Sequence, residues 1–511
     1  MIKKSLSHLL FLGLAFFLGI IATTFGWVMF LILTKQLPVS KQGELFVVEE
    51  YRPADIVIDV SQVVGEVKPL WSGYAQGGEE MYTNMLAGTE NLLKQTHPTY
   101  IRLDHIFDDD YYGVVSGSSG NLNLNWTKLD QAVDSILATG AKPFLALTYM
   151  PKALAASKID QPYNWNDWQY LVKQTIKHYS GDKKISNVYY EVWNEPDLES
   201  FGAWKYHGGK NYLTLYATAA RAAQQARDER VEPFKFGGPA TTALYQNWVL
   251  ALTELTKEQN LPLDFISWHR YAYSPSQFEE DMQELETWLG SDHQYEFVIS
   301  EWGPDPGKTA IYSGRYAAAH AVAVSRQLLE KLNLALAFEV KDGPEQADFG
   351  WGVLTYGIRP KPRYYALTYL ADMVGPRFAL SGEGSNVTAW AVGNDGKYKV
   401  IVSNFNVSGS QTEEFPIEFT NIEPGQYQLS WETLSGKSDS RVLTIDKQGL
   451  PVREYFTMAD NDVLKVRLVL LEPYQKQENI VDTTANTPTQ SNSAGSIHSG
   501  FKRVILENNQ E

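Results

Sequence analysis

The chain has 511 residues, 44% of them hydrophobic and 13% aromatic, which is room for two or three domains around a large core. A formal net charge of −16 leaves no basic stripe to neutralise phosphates and excludes nucleic acid as a partner. The chain has no cysteine, so disulfides, thiol chemistry and Cys-based zinc sites are excluded; its 9 His lack metal-like spacing, and neither metal nor cofactor is expected.

Leu9 to Leu33 carries no charge and is bounded by Lys3-Lys4 and Lys35. It is long enough to span a bilayer with some tilt, and predicts a transmembrane anchor over 1–34 followed by a juxtamembrane linker over 35–53. A cleaved signal peptide is the competing reading, but its apolar region normally runs about 7–15 residues and no small-x-small site follows here.

From Trp71 to about Ala371, strand-like and helix-like segments alternate. The strand candidates are Leu70–Tyr74, Thr99–Asp104, Lys142–Tyr149, Val188–Trp193, Phe234–Gly238, Phe265–Trp268, Phe297–Glu301 and Leu334–Val340. Helical stretches between them include Asn211–Arg230, Ala243–Gln259 and Ala310–Leu332. Eight strands with intervening helices predict a (β/α)8 TIM barrel over 54–375. A doubly wound sheet is the alternative, but it usually opens on a phosphate-binding turn, and none is present. Beyond Pro376 short alternating runs replace helical periodicity, and Asn394-Asp395-Gly396 marks a tight hairpin, so 376–474 reads as a β-sandwich. Asp55–Val60 alternates apolar and mostly polar residues, which suits a half-buried antiparallel strand donated to that sandwich rather than a barrel strand. The polar stretch 475–511 is expected to be disordered.

Two strand candidates end in glutamates that carry the chemistry. One runs Val188-Tyr189-Tyr190-Glu191-Val192-Trp193-Asn194-Glu195-Pro196, the other Phe297-Val298-Ile299-Ser300-Glu301-Trp302-Gly303. Carboxyls at the carboxy-terminal ends of barrel strands sit where such barrels keep their active sites. A pair of them is what glycosidic bond hydrolysis requires, one to protonate the leaving oxygen and one to attack the anomeric carbon or activate water. With Ile101-Arg102-Leu103-Asp104-His105 and Asp264-Phe265-Ile266-Ser267-Trp268-His269-Arg270-Tyr271, these segments resemble the clan A retaining glycoside hydrolases, most closely family 39, the β-xylosidase and α-L-iduronidase group. The resemblance covers roughly residues 54–475.

The resemblance implies that Glu195 is the acid/base, Glu301 the nucleophile and a carbohydrate the substrate, with no cofactor. It also implies that Asn194 binds the sugar 2-hydroxyl, that His105 contacts sugar, and that Tyr271, or else His269, bonds the nucleophile. Glu195 must be protonated near neutral pH, which calls for burial or a neighbouring negative charge. Arg102 is expected inside the barrel, either beside Glu301 or paired with Glu191. Trp302 is expected to stack on a sugar face, while Phe338 stands where many clan members carry Trp. Glu339, Lys341 and Asp342 are expected along the cleft. Trp165, Trp168 and Trp204 are candidates for outer subsites, with helix-face packing as the alternative for the first two. Lys341, Arg270 and Arg315 are candidates for a uronate carboxylate. The leading anchor and this chemistry suggest a single-pass protein of the cell membrane with its catalytic domain extracellular or periplasmic. Other clan A endo-glycanases, or a noncatalytic polysaccharide-binding barrel, are the alternatives; the intact glutamates and Asn194 speak against the latter.

Overall fold

A computed structural model describes residues 50–345 and 349–473. The predicted span Leu9–Leu33, nearly all of the linker and the predicted tail lie outside the described residues. Among the described residues no helix is long and apolar enough to cross a membrane.

The first strand, β1 (Ile56–Val67), does not enter the barrel. The barrel begins with β2 (Gly73–Gln76) and β3 (Tyr100–Leu103), after which a hairpin of β4 (Val115–Ser118) and β5 (Asn121–Leu124) is inserted. It continues through β6 (Lys142–Ala146), β7 (Val188–Glu191), β8 (Phe234–Thr241), β9 (Phe265–Tyr271), β10 (Glu296–Gly303) and β11 (Leu334–Phe338). Every neighbouring pair is parallel and β11 closes onto β2. The expected helix near Asn211 runs Tyr212–Asp228, and the Asn211 side chain caps it by accepting the Leu213 N–H at 2.8 Å. The stretch expected as one helix over 310–332 is broken instead. Extended backbone at Gly314 separates a 3-10 turn, Ala310–Ser313, from the helix Arg315–Leu328.

Alternation along the barrel strands sorts their side chains. Ile101, Leu103, Tyr190, Ile266 and Ile299 point outward into the layer between strands and helices. Phe144, Tyr189, Phe265 and Val298 fill the barrel axis. Above that apolar plug, toward the carboxy-terminal strand ends, the inward positions turn polar.

The second core is enclosed by β12 (Gly375–Ser381), β13 (Val387–Asn394), β14 (Lys397–Asn404), β15 (Glu413–Thr420), β16 (Gly425–Thr433), β17 (Ser438–Ile445), β18 (Val452–Met458) and β19 (Asp462–Pro473), together with β1. The strand order is β17-β16-β19-β14-β13-β12-β1-β15-β18. The hairpin at 394–397 places Asp395 and Gly396 at φ 48° and 76°, as a tight two-residue turn requires. β1 pairs antiparallel with β12 and parallel with β15, burying Ile56 and Ile58 completely in this core. The opposite face of β13 and β14 offers Trp390, Val392 and Ile401 to the barrel's helix layer. There Trp71 and Trp390 meet at 5.7 Å, Ser403 Oγ donates to the Ala319 carbonyl, and Arg326 forks onto Glu383.

Candidate active site

Regular alternation on β9 turns Phe265, Ser267, His269 and Tyr271 to the barrel axis, and the same rule on β3 and β7 turns Arg102 and Glu191 inward. On β10 the rule breaks. Ile299 pairs with Trp268 but Glu301 pairs with His269, so Ser300 is an extra residue, a β-bulge. Val298 faces inward, and simple alternation from it would put Trp302 inside and Glu301 outside. The bulge reverses this and aims Glu301 into the cleft.

Glu195 arrives by a different device. The chain leaves β7 through Trp193 and Glu195, both left-handed at φ 76° and 44°, a conformation that costs roughly 1–3 kcal/mol for each such residue. Neighbouring bonds hold the turn: Glu195 N–H donates to the Ala240 carbonyl at 2.8 Å and Trp193 Nε1 to the Phe201 carbonyl at 2.8 Å.

The result is an open cleft of about 620 Å³ lined by Asn194, Glu195, Glu301, Tyr271, His105 and Trp351 among others. One oxygen of Glu195, one oxygen of Glu301 and a ring nitrogen of His269 all lie within 4.8 Å of one another. Tyr271 donates to Glu301 Oε2 at 2.9 Å, and Arg102 donates to Glu301 Oε1 at 2.8 Å. His269 Nδ1 sits 2.9 Å from Glu195 Oε1 and 3.5 Å from Glu301 Oε2. Arg102 meets both of its expected partners at once, with Nε on Glu191 at 2.7 Å and a third bond to Asn194 Oδ1 at 2.7 Å. Asn194 passes its amide N–H to Tyr149 at 3.1 Å, which fixes the amide beside the cleft. The three side chains form one hydrogen-bonded group, with His269 between the two carboxyls.

The two carboxyls differ in environment. The Glu195 side chain is 15% exposed and that of Glu301 8%. The burial expected around Glu195 thus surrounds Glu301 more tightly. Burial lifts the Glu301 carboxyl to about 6, against the pull of His269 and Arg102 and with help from Glu195 and Asp104. Burial alone would lower His269, but the charges of Glu301 and Glu195 and the bond to Glu195 push it above its usual range. Arg102 is fully buried, yet Glu191 and Glu301 hold it firmly protonated.

His105 lines the cleft with Nδ1 3.1 Å from Asp108 and its ring 4.3 Å from that of Tyr111. Trp302 is not a sugar platform. The bulge that turns Glu301 inward turns Trp302 outward, where it is 1% exposed, packs on Phe278 and lies under the Arg363 guanidinium. Phe338 does line the cleft, and Trp351 from the following loop packs on it at 5.4 Å. Trp351 and Tyr149 escaped the sequence reading; aromatics just beyond barrel strands were the available signal.

Glu339, Lys341 and Asp342 are not among the residues that line the cleft. Glu339 is fully buried and accepts from Gln76, Lys341 stands over the Tyr356 ring, and Asp342 pairs with Lys361. Trp168 and Trp204 are fully buried, and Trp165 packs on the same core. Arg270 lines the cleft but is clamped by Asp281 through two bonds, and Arg315, outside the cleft lining, donates to the Asp460 carbonyl at 3.4 Å.

The family model for glycosyl hydrolases family 39 matches residues 61–322, just over half of the chain, a stretch that includes Arg102, Asn194, Glu195, His269, Tyr271 and Glu301. A β-xylosidase of Caldicellulosiruptor saccharolyticus is 26% identical over 417 residues, covering 72% of this chain and 82% of the relative. A β-xylosidase of Geobacillus stearothermophilus is 28% identical over 314 residues, covering 53% of this chain and 61% of the relative. Among solved structures, a monomeric β-xylosidase from Caulobacter crescentus CB15 shares the fold, with a TM-score of 0.69, 19% identity, and coverage of 82% of this chain and 100% of that one.

Proposed function

The chain belongs to glycosyl hydrolases family 39 and is a glycosidase, and on that premise we propose that it hydrolyses β-xylosides, or related neutral glycosides, with retention of configuration. The observation that carries this reading is the separation of the two carboxyls. Oxygens within 4.8 Å suit the close pair of a retaining site, at about 5–5.5 Å carboxyl spacing, better than the about 6.5–9.5 Å of an inverting pair.

In the first step an oxygen of Glu301 bonds to the anomeric carbon as the glycosidic C–O bond breaks, and the leaving oxygen takes a proton from Glu195. In the second step Glu195 takes a proton from water, the hydroxide bonds to the anomeric carbon, and the ester bond to Glu301 breaks. Arg102 and Tyr271 occupy both oxygens of Glu301 and keep it aimed and ionised above about pH 6. His269 bridges the pair and holds the Glu195 oxygen toward the reacting centre. Asn194, fixed by Arg102 and Tyr149, presents its amide to the neighbouring sugar hydroxyl.

The test is 4-nitrophenyl β-xyloside hydrolysis followed by NMR, with Glu195→Ala. The first-formed product should be the β-anomer. The variant should retain activated aryl glycosides, lose poor leaving groups, and form β-xylosyl azide when azide is added. An inverted first product, or equal losses on all leaving groups without rescue, contradicts the assignment.

We also propose that the uncharged run Leu9–Leu33 holds the enzyme on the outer side of a membrane. Membrane fractionation of the full chain against one starting near residue 50 checks it: the shorter chain should leave the membrane fraction.

A further inference from the structure

The tryptophans expected to form outer subsites are buried, yet the mouth of the cleft is not short of aromatic surface. Four tyrosines stand on loops that follow barrel strands: Tyr82 after β2, Tyr245 after β8, Tyr273 after β9 and Tyr356 after β11. They are 63%, 39%, 46% and 42% exposed, so core packing does not explain them.

Each is nonetheless fastened by its hydroxyl. Tyr82 bonds Asp110 at 3.0 Å, Tyr356 bonds Glu80 at 3.2 Å, Tyr245 meets Thr242 at 3.2 Å, and Tyr273 bonds Asp305. Every anchor belongs to the cleft wall or adjoins it. Thr242 lines the cleft, and Asp110, Glu80 and Asp305 neighbour the lining residues Tyr111, Glu79 and Pro306. Lys128 and Lys341 stand over one side of the Tyr82 and Tyr356 rings at 5.7 and 5.3 Å. A tethered ring is an apolar platform whose rotamer is already fixed, so little ordering is left for a ligand to impose. The C–H face of a pyranose has the shape for such a platform.

The anchors also set the charge. Glu80, Asp110 and Asp305 hold the rings, and Glu79 and Asp104 line the cleft beside them. Lys308 and Arg270 at the same mouth are paired with Glu79 and Asp281, and Lys128 and Lys341 stand over the Tyr82 and Tyr356 rings, so the six carboxylates Glu79, Glu80, Asp104, Asp110, Asp281 and Asp305 outnumber these four cations. An acidic rim repels a polyuronate and leaves an uncharged chain unopposed.

We propose that the cleft continues at its mouth into outer subsites for an uncharged oligosaccharide, with Tyr82, Tyr245, Tyr273 and Tyr356 as stacking platforms. The inference rests on the glycosidase reading of the cleft and adds to it that recognition extends beyond the reacting sugar.

Glu195→Gln, which binds without turnover, is titrated calorimetrically with xylobiose, xylohexaose, cellobiose, cellohexaose and hexagalacturonate. At least one neutral hexamer should bind about tenfold or more tighter than its own disaccharide, and hexagalacturonate weaker than either neutral hexamer. Adding Tyr82→Ala, Tyr273→Ala or Tyr356→Ala should shrink that ratio, and the matching Tyr→Phe changes, which keep the ring and cut the tether, should shrink it less. The ratio is read within each protein, so loss of fold, which removes both ligands together, does not imitate the result. Neutral hexamers no tighter than their disaccharides, hexagalacturonate binding best, or a ratio unchanged by all three alanines would each overturn the proposal. Failure of the earlier reading has a separate signature, the absence of aryl xyloside cleavage by the wild-type enzyme.

Discussion

Glu301→Gln should stabilise the protein at neutral pH and lose that advantage in acid. The side chain is 8% exposed, and burial raises its carboxyl from the usual 4.5 to about 6. A folded-state value above the unfolded one means that the folded chain binds more protons between the two. The stabilising contribution is therefore fully present below pH 4.5 and is lost as pH rises through 6. At ~1.36 kcal/mol per pH unit, the rise from 4.5 to about 6 corresponds to about 2 kcal/mol forfeited above pH 7. Glutamine keeps the acceptor for Arg102 or Tyr271 without the charge and escapes this loss. It also deprives Arg102 and His269 of one anion: Glu191 remains on Arg102 at 2.7 Å, and the His269 contribution, which the wild type loses as pH rises, moves the difference in the same direction. The quantity to read is therefore the pH dependence of the difference between variant and wild type, not its absolute size. By calorimetry, the Tm difference, variant minus wild type, should rise by about 2 °C between pH 4.5 and 7.5. A flat difference, or one that falls with pH, would refute the claim that Glu301 is the carboxyl held up by burial. The acid limb of kcat/KM in the wild-type enzyme should fall near pH 6 for the same reason.

Arg102→Met strands Glu191 and Glu301 without their shared cation and should cost about 3–5 kcal/mol, whereas Arg102→Met with Glu191→Gln should recover much of it. Denaturant unfolding of the two variants decides; equal losses would mean that Arg102 acts through packing alone. Ending the chain at residue 375 bares Trp71 and the edges of β1, so the product should be insoluble. A soluble, active barrel of that length would show that the sandwich is dispensable.

How much of this was legible in the chain follows from the range over which each feature is decided. Strand, helix and hairpin patterns are local, so the barrel strands and the turn at Asp395-Gly396 could be read from a few neighbouring residues. The placement of Glu195 and Glu301 at strand ends was legible for the same reason, and so was the inward aim of Arg102, which alternates with Ile101 and Leu103. Which face of β10 enters the cleft was not. One extra residue at Ser300 inverts the alternation, and only pairing with β9 shows it, so Trp302 read as a platform when it is core. Exposure was equally out of reach. Trp204 and Tyr356 both lie in loops, yet one is buried and the other stands exposed, bonded to Glu80, 276 positions away in the chain. Composition and periodicity specify what a segment buries. What it is buried against, and which carboxyl is more deprived of water, is settled only when distant strands close the barrel and exclude solvent from its centre.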